Sequence, residues 1–482
     1  MDYSKIGLKA GIEIHQQLET SEKLFSHAPS YLRNEKADYI VQRKLHKVAG
    51  EQGQVDAAVK HEAEQDREFH YEGYNDTVSL VELDEEPPYM VNQEALEECL
   101  KVALLLNCEI YQNTQIMRKT VIDGSNTSGF QRTVLIGHDG YVETSFGKVR
   151  IDTVVLEEDS ARIISKDERK AVYRLDRLGI PLIEIATAPD MNTPEQIKET
   201  ALKIGEILRA CNVKRGLGTI RQDVNVSIKG HDRVEIKGFQ DPKMMIETVN
   251  KEILRQQKDI SEGKVKGEVR GALETGETEF LRPMPGKARM YPETDLPLLY
   301  VSLDLINKLK KNLPKLKQEI KVELKKKGLN DEMIKLVLED GVDEFETLLN
   351  VYDKDANLVA KMITLWRQEF SSKTKKNLDE VKQILNEKIL EKILENLATG
   401  KISDGDVKTI MLKVLEGKNV EDALKVEKSD DNTLEHGIRE IVKEKPGLRA
   451  NAYMGLVIAK FGASVDKRKA MEILNKVVGD GK

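Results

Sequence analysis

Proline is distributed unevenly along this 482-residue chain: eleven of its 13 prolines lie before residue 300, leaving only Pro314 and Pro446. A proline inside a helix removes a backbone donor and clashes with the preceding turn, so the first part must be built from short, punctuated elements. Strand-like runs occur there at Val134–Gly137, Lys148–Leu156, Leu182–Ile185, Asp223–Ile228 and Val234–Ile236. Helical periodicity occupies Gln93–Leu106, Thr193–Cys211 and Met244–Glu262. From 302 to 426 the texture changes to helix formers with apolar residues at helical spacing, as in Leu303, Ile306, Leu309, Leu313 and Leu316. A polar break, Lys428-Ser429-Asp430-Asp431-Asn432, precedes a last helical unit of about fifty residues, a size that suits a small appended domain. Its Ala452–Phe461 helix contains Gly455 and stops at Gly462. The fold class expected is α+β: a mixed-sheet domain over 1–298, an all-helical domain over 299–426 and a small helical tail over 427–482.

This length exceeds one domain. No apolar run approaches a membrane span, and Met1-Asp2-Tyr3-Ser4-Lys5 opens no signal-peptide core, so a cytoplasmic protein without membrane contact is expected. Cys99, Cys108 and Cys211 are too few and too scattered for a disulfide framework or an all-cysteine zinc site. A net charge of −7 argues against indiscriminate coating of nucleic acid. Two stretches are nevertheless basic: 301–330 with nine lysines against three acids, and 445–482 with eight Lys or Arg against three acids. Phosphate backbones attract such patches, and solvated helix faces also carry them.

Polar chemistry concentrates in the first part. In Gly11-Ile12-Glu13-Ile14-His15-Gln16-Gln17-Leu18-Glu19-Thr20, Ile12 and Ile14 alternate with Glu13 and His15, as in a half-buried strand. Residues two apart on a strand point the same way, roughly 7 Å apart, so Glu13 and His15 can share a cation, handle a proton, or simply face solvent. Arg221-Gln222-Asp223-Val224-Asn225-Val226-Ser227 repeats that alternation. The stretch Arg118–Gly129 mixes two cations with Gly, Ser, Asn and Thr at loop density: it suits phosphate oxygens or a plain hairpin loop, and it does not match the P-loop pattern. Leu156-Glu157-Glu158-Asp159 crowds three carboxylates at a strand end, where repulsion demands a cation or a basic partner. Glu184 stands alone in the apolar run Ile180–Pro189, and a buried carboxylate needs a metal, an Arg or a Lys beside it. Glu13, His15, Glu158, Glu184 and Asp223 together are hard oxygen donors plus an imidazole, a set that suits Mg²⁺ and, with basic loops, ATP phosphates.

In this order, Gly11–Thr20, Lys119–Phe130, Leu156–Asp159, Pro181–Ile185, Arg221–Ser227, Val234–Lys237 and Arg289–Asp295 resemble the kinase subunits of tRNA-dependent amidotransferases, along essentially the whole chain. Two branches of that family exist, one in a three-subunit enzyme and one in the archaeal glutamyl-tRNA(Gln) amidotransferase. The Ser/Thr-rich loop after Lys119 and Leu281-Arg282-Pro283-Met284-Pro285-Gly286 look like the archaeal branch; the three-subunit branch carries an aromatic- and proline-rich loop there. One departure is large. The archaeal branch usually carries an inserted domain similar to one in bacterial aspartyl-tRNA synthetases, and the run from Lys251–Gln257 through Gly263–Gly271 into Glu279–Pro283 leaves no room for it.

The resemblance implies a cradle-shaped catalytic domain that uses Mg·ATP to phosphorylate the γ-carboxylate of glutamate misacylated onto tRNA(Gln). Ammonia would arrive through a channel from an asparaginase-like amidotransferase partner, in a heterotetramer of two of each subunit, giving Gln-tRNA(Gln). Carried onto this sequence, His15, Glu158 and Glu184 are the expected metal ligands, with Glu13 next in line. Lys119, Asp223 and Arg221 are the expected catalytic residues. Ser125, Thr127 and Ser128 are expected to touch nucleotide or acyl end, and the basic helical parts to grip the tRNA. The alternatives are the role played in the three-subunit enzyme, with aspartyl-tRNA(Asn) as second substrate, a non-catalytic RNA-binding scaffold, and an ATP-grasp-like ligase of small acids. The loop after Lys119 speaks against the first, the costly acidic clusters against the second, and the basic helical third of the chain against the last.

Overall fold

The computed structural model describes residues 2–44, 67–121, 123–239, 242–284, 290–425, 431–461 and 467–479. Ile122, Pro285-Gly286, Arg289, the break at 428–430 and Gly462, all singled out above, lie outside them. Two compact units divide the chain, Met1–Leu316 and Lys317–Lys482.

The described strands of the first unit, in chain order, are β1 (Lys9–Gln17), β2 (Tyr39–Arg43), β3 (Glu68–Gly73), β4 (Glu109–Ile110), β5 (Asn113–Thr114), β6 (Ile116–Thr120), β7 (Phe130–Thr144), β8 (Gly147–Glu158), β9 (Arg162–Lys166), β10 (Lys170–Arg174), β11 (Pro181–Thr187), β12 (Ile220–Ser227), β13 (Val234–Phe239), β14 (Glu268–Ala272), β15 (Thr278–Pro283), β16 (Met290–Pro292) and β17 (Leu299–Tyr300). The large sheet runs β15-β14-β13-β12-β1-β11-β8-β7-β6-β16, with β4 also on β7; a smaller one runs β2-β3-β10-β9. Within the large sheet only the β13–β14 pair is parallel among these neighbours. The mixed sheet and the helical part that follows it match the α+β expectation.

Alternation decides which face is covered. Ile12 and Ile14, Ile183 and Ile185, Val154 and Leu156, Val134 and Ile136, Val224 and Val226, and Val234 and Ile236 form one buried layer. Against it pack Leu96, Cys99 and Leu100 of helix Gln93–Leu105, Ile197, Ile204 and Leu208 of helix Pro194–Ala210, and Met245, Val249 and Ile253 of helix Pro242–Glu262. Local chemistry starts two of these helices. The Asn92 side chain accepts from the Ala95 N–H, and Thr193 accepts from the Gln196 N–H with Pro194 in the first turn. Burying one face of each strand on helices leaves the opposite, polar residues of the same strands to build a site.

Three local expectations change. Arg118 and Lys119 belong to strand β6 rather than to the loop, and Glu157 and Glu158 close strand β8 rather than follow it. The first unit extends past residue 298: composition turns helical there, yet Leu305, Ile306 and Leu309 of helix Leu303–Lys311 pack into the core under the sheet. Helix Pro242–Glu262 leads straight to the β14–β15 hairpin, whose turn is closed by the Leu273 N–H on the Glu277 carbonyl, so no further domain intervenes.

The second unit is helical and carries two apolar clusters, one spanning Leu324 to Ala423 and the other Leu434 to Leu474. No helix among the described residues is long and apolar enough to cross a membrane.

Candidate functional site: an acidic cluster on the open sheet face

Strand register assembles the site. His15 on β1 lies opposite Glu184 on β11 and opposite Arg221 on β12; Glu13 lies opposite Asp223, and Asn225 opposite Glu235. Directly paired residues point to the same face, so side chains from segments more than 150 residues apart in sequence stand in adjacent rows. On the other side of β11, Glu157 of β8 pairs with Leu182 and with Thr133 of β7, and Lys119 of β6 pairs with Gln131 two residues away on β7.

The centre of this face is a compact cluster. The Lys119 Nζ donates to Glu157 Oε2 at 2.6 Å and to Glu184 Oε2 at 3.2 Å, and His15 Nε2 lies 3.2 Å from Glu184 Oε2 and 3.9 Å from Glu157 Oε1. Donor atoms of His15, Glu157 and Glu184 all fall within 4.8 Å of one another. Burial works against charge on His15, but the Glu184, Glu157 and Asp223 carboxylates outweigh it and raise the imidazole pKa. Burial likewise resists the Glu184 carboxylate, and Lys119 with His15 overcomes it, holding Glu184 well below the usual range. Glu157 goes the other way: burial raises it, with Lys119 opposing. Two carboxylates and an imidazole this close have the donor types that could hold a hard divalent cation.

A second cluster adjoins it along β1. Glu13, Asp223 and Glu235 also bring donor atoms within 4.8 Å. Lys237 Nζ donates to Asp223 Oδ2 at 2.6 Å and Glu235 Oε1 at 2.5 Å, and Asn225 Nδ2 donates to Glu13 Oε1 at 3.0 Å. Burial and the neighbouring Glu235 and Glu184 charges raise the Glu13 pKa. Arg221 reaches the end of this face and donates to Asp159 Oδ1 at 2.8 Å.

Of the expected residues, His15, Glu184 and Lys119 thus meet in the first cluster, Glu13 and Asp223 meet in the second, and Arg221 flanks His15. Glu158 goes elsewhere. Being next to Glu157 on a strand, it points to the opposite face, where it accepts from the Arg132 backbone N–H at 3.1 Å and from Arg132 Nη1 at 3.2 Å. Arg132 also donates to Glu293, which holds Arg118 as well. The place expected for Glu158 beside His15 and Glu184 is filled by Glu157, a difference of one residue and therefore of one face.

The loop hydroxyls bond within the loop and to the segment at Glu82. Ser125 Oγ donates to Asp123 Oδ1 at 2.6 Å, Thr127 Oγ1 to the Glu82 carbonyl at 2.7 Å and Ser128 Oγ to the Phe130 carbonyl at 2.9 Å. Tyr71 and Tyr173 of the small sheet donate to the Gly124 and Asp123 carbonyls, each at 2.8 Å. Gly124 has φ +90°, and a Cβ there would lie 2.1 Å from Phe69, so this turn accepts only glycine. The Ala161 N–H donates to the Ser125 carbonyl and Ser160 Oγ to Asn126 Oδ1, bringing the loop against the residues just after Glu158. Glu157, Glu235, Lys237 and Asp159 were not expected as site residues. Period-two register to Glu13 and His15 exposes Glu235 and Lys237 once β12 and β13 are paired, but no sequence signal states that pairing.

Residues 8–307 match the family model described as the GatB/GatE catalytic domain. The chain is 35% identical to the E-type subunit of glutamyl-tRNA(Gln) amidotransferase from Methanocaldococcus jannaschii, with 99% of each chain covered. It is 34% identical to the protein of that name from Methanothermobacter thermautotrophicus, covering 94% of each, and 37% identical to the one from Pyrococcus abyssi, covering 73% of this chain and 77% of that one. The first of these alignments extends over 631 positions, far more than the 482 residues of this chain, so the relative carries residues with no counterpart here.

Proposed function

The chain belongs to the GatB/GatE family, on its GatE branch, and from that premise we propose that it converts Glu-tRNA(Gln) to Gln-tRNA(Gln) at the open sheet face. The observation that carries this reading is the cluster of His15, Glu157, Glu184 and Lys119. The carboxylate of the misacylated glutamate is a poor electrophile. Its oxygen attacks the γ-phosphorus of ATP, the bond to ADP breaks, and an acyl phosphate results. Ammonia then attacks the acyl carbon, the carbon–oxygen bond to phosphate breaks, and the nitrogen sheds a proton to leave the amide.

His15, Glu157 and Glu184 would hold Mg²⁺, and Glu13, Asp223 and Glu235 have the donors for a second cation. When bound, such an ion neutralises phosphoryl charge. Lys119, released from its carboxylates, offers an ammonium group to phosphate or substrate carboxylate, and Arg221 supplies a planar guanidinium beside His15. The backbone of the braced loop 123–129 is the natural bed for nucleotide or acyl end. An amide-hydrolysing partner would supply ammonia unprotonated, since free ammonium is not a nucleophile. The basic stretches 301–330 and 445–482 would hold tRNA by phosphate and shape contacts.

The test is phosphate release from Mg·ATP in the presence of Glu-tRNA(Gln), with and without ammonium, following the aminoacyl product. RNA-dependent ATP turnover, with glutamine formed only when ammonium is present, is the expected result. RNA binding without ATP turnover, even with an amide-hydrolysing partner added, would make the chain a scaffold.

A further inference from the structure

Asp159 follows β8 directly and is 1% exposed. Its backbone is pinned twice: its N–H donates to the Ile180 carbonyl at 2.8 Å and its carbonyl accepts from the Gly179 N–H at 3.0 Å. Its carboxylate is just as fixed. Oδ2 accepts from Gln17 Nε2 at 2.6 Å, and Oδ1 accepts from the Ser160 N–H and from Arg221 Nη2, each at 2.8 Å. Arg177 Nε stands 3.6 Å from Oδ2.

The two arginines are not equivalent. Arg177 spends its donors on the backbone, Nε on the Ser160 carbonyl at 2.7 Å and Nη2 on the Ala161 carbonyl at 2.9 Å. Arg221 has no other hydrogen-bond partner among the described residues, and its side chain is 39% exposed. It rises from β12 opposite His15, on the face that carries the cluster of His15, Glu157 and Glu184. One corner of its guanidinium is therefore clamped while the remaining N–H groups stay uncommitted next to the site. An arginine left unclamped would sample many rotamers, and a misplacement of about 1 Å at a reacting centre can cost 10²-fold in rate.

We propose that Asp159, itself held by Gln17, is a positioning residue that fixes the Arg221 guanidinium beside His15 to receive the phosphoryl oxygens of ATP. This rests on the reading of the site given above and adds to it the residue that aims the arginine. Asp159 touches no substrate; its effect passes entirely through Arg221.

That dependence is what a double-mutant cycle measures. Wild type, Asp159→Asn, Arg221→Ala and the double variant of the full chain are compared for kcat and KM in RNA-dependent phosphate release, for equilibrium affinity for Mg·ATP, and for melting temperature. Arg221→Ala is expected to lose ~10²–10³-fold in kcat, as removal of a transition-state donor does. Asp159→Asn is expected to lose ~10–10²-fold in the wild-type background and close to nothing further once Arg221 is gone. Losses that multiply in the double variant, or an Asp159→Asn protein as active as wild type, overturn the proposal. If Asp159→Asn does not fold, Gln17→Ala, which loosens Asp159 while keeping its bond to Arg221, runs the same cycle: a loss confined to the Arg221 background supports the proposal, and an equal loss in both overturns it. Should the wild type show no RNA-dependent turnover, the reading of the site fails on that ground. The cycle is then decided on Mg·ATP affinity, where additivity overturns the proposal, as does a wild type that binds no Mg·ATP.

Discussion

Glu157 and Glu158 differ by one position and occupy two electrostatic worlds. Glu157 shares Lys119 with Glu184 on the open face, whereas Glu158 lies in a buried network with Arg132 and Glu293. Removing one partner of a buried ion pair leaves the other charge uncompensated. Glu158→Gln is therefore expected to lower the unfolding free energy by about 3 kcal/mol, read as a lower denaturant midpoint, with the affinity for divalent cation retained. Sequence makes Glu184 legible because it stands alone in an apolar run that demands a partner, and His15 because it alternates with isoleucines beside Glu13; Lys119 is legible from its place before a polar loop and from the family resemblance. It does not separate Glu157 from Glu158, since three acids in a row have no internal phase: only the pairing of β8 with β11 tells which of them looks toward His15.

At the level of elements, most of the large sheet can be read from alternation, because each central strand turns apolar residues to the helices and mainly polar ones the other way. The small sheet cannot. β2, β9 and β10 are short and charged, and their order in the sheet depends on long-range pairing, as in the parallel contact of β3 with β10. The braces that Tyr71 and Tyr173 place on the loop after β6 are hidden for the same reason. The helix side of the sheet yields a pH prediction. Cys108 and Cys211 are pushed up to about 12 by burial, and burial raises Cys99 as well. Between roughly pH 9 and 12 the unfolded chain loses thiol protons that the folded chain keeps, so stability falls as pH rises, by ~1.4 kcal/mol per pH unit for each such thiol. Denaturant titrations from pH 8 to 10 check this: the fall becomes shallower by that amount in Cys108→Ala or Cys211→Ala.

For the whole molecule, two units with separate apolar cores mean that each has the means to fold alone. A fragment of residues 1–316 is expected to unfold cooperatively, and one ending at 298 to be less stable by about 5 kcal/mol, because it loses the burial of Val301, Ile306 and Leu309; circular-dichroism melts of both fragments decide this. The Methanocaldococcus jannaschii relative carries residues that this chain lacks, and the β14–β15 hairpin of this chain closes without them. The central claim is that this face is a divalent-cation site built from His15, Glu157 and Glu184. Its most direct test is electron paramagnetic resonance of bound Mn²⁺ on the wild type, Glu157→Gln and Glu158→Gln. The account predicts loss of the tight Mn²⁺ in Glu157→Gln and its retention in Glu158→Gln; tight Mn²⁺ that survives Glu157→Gln and disappears in Glu158→Gln would contradict it.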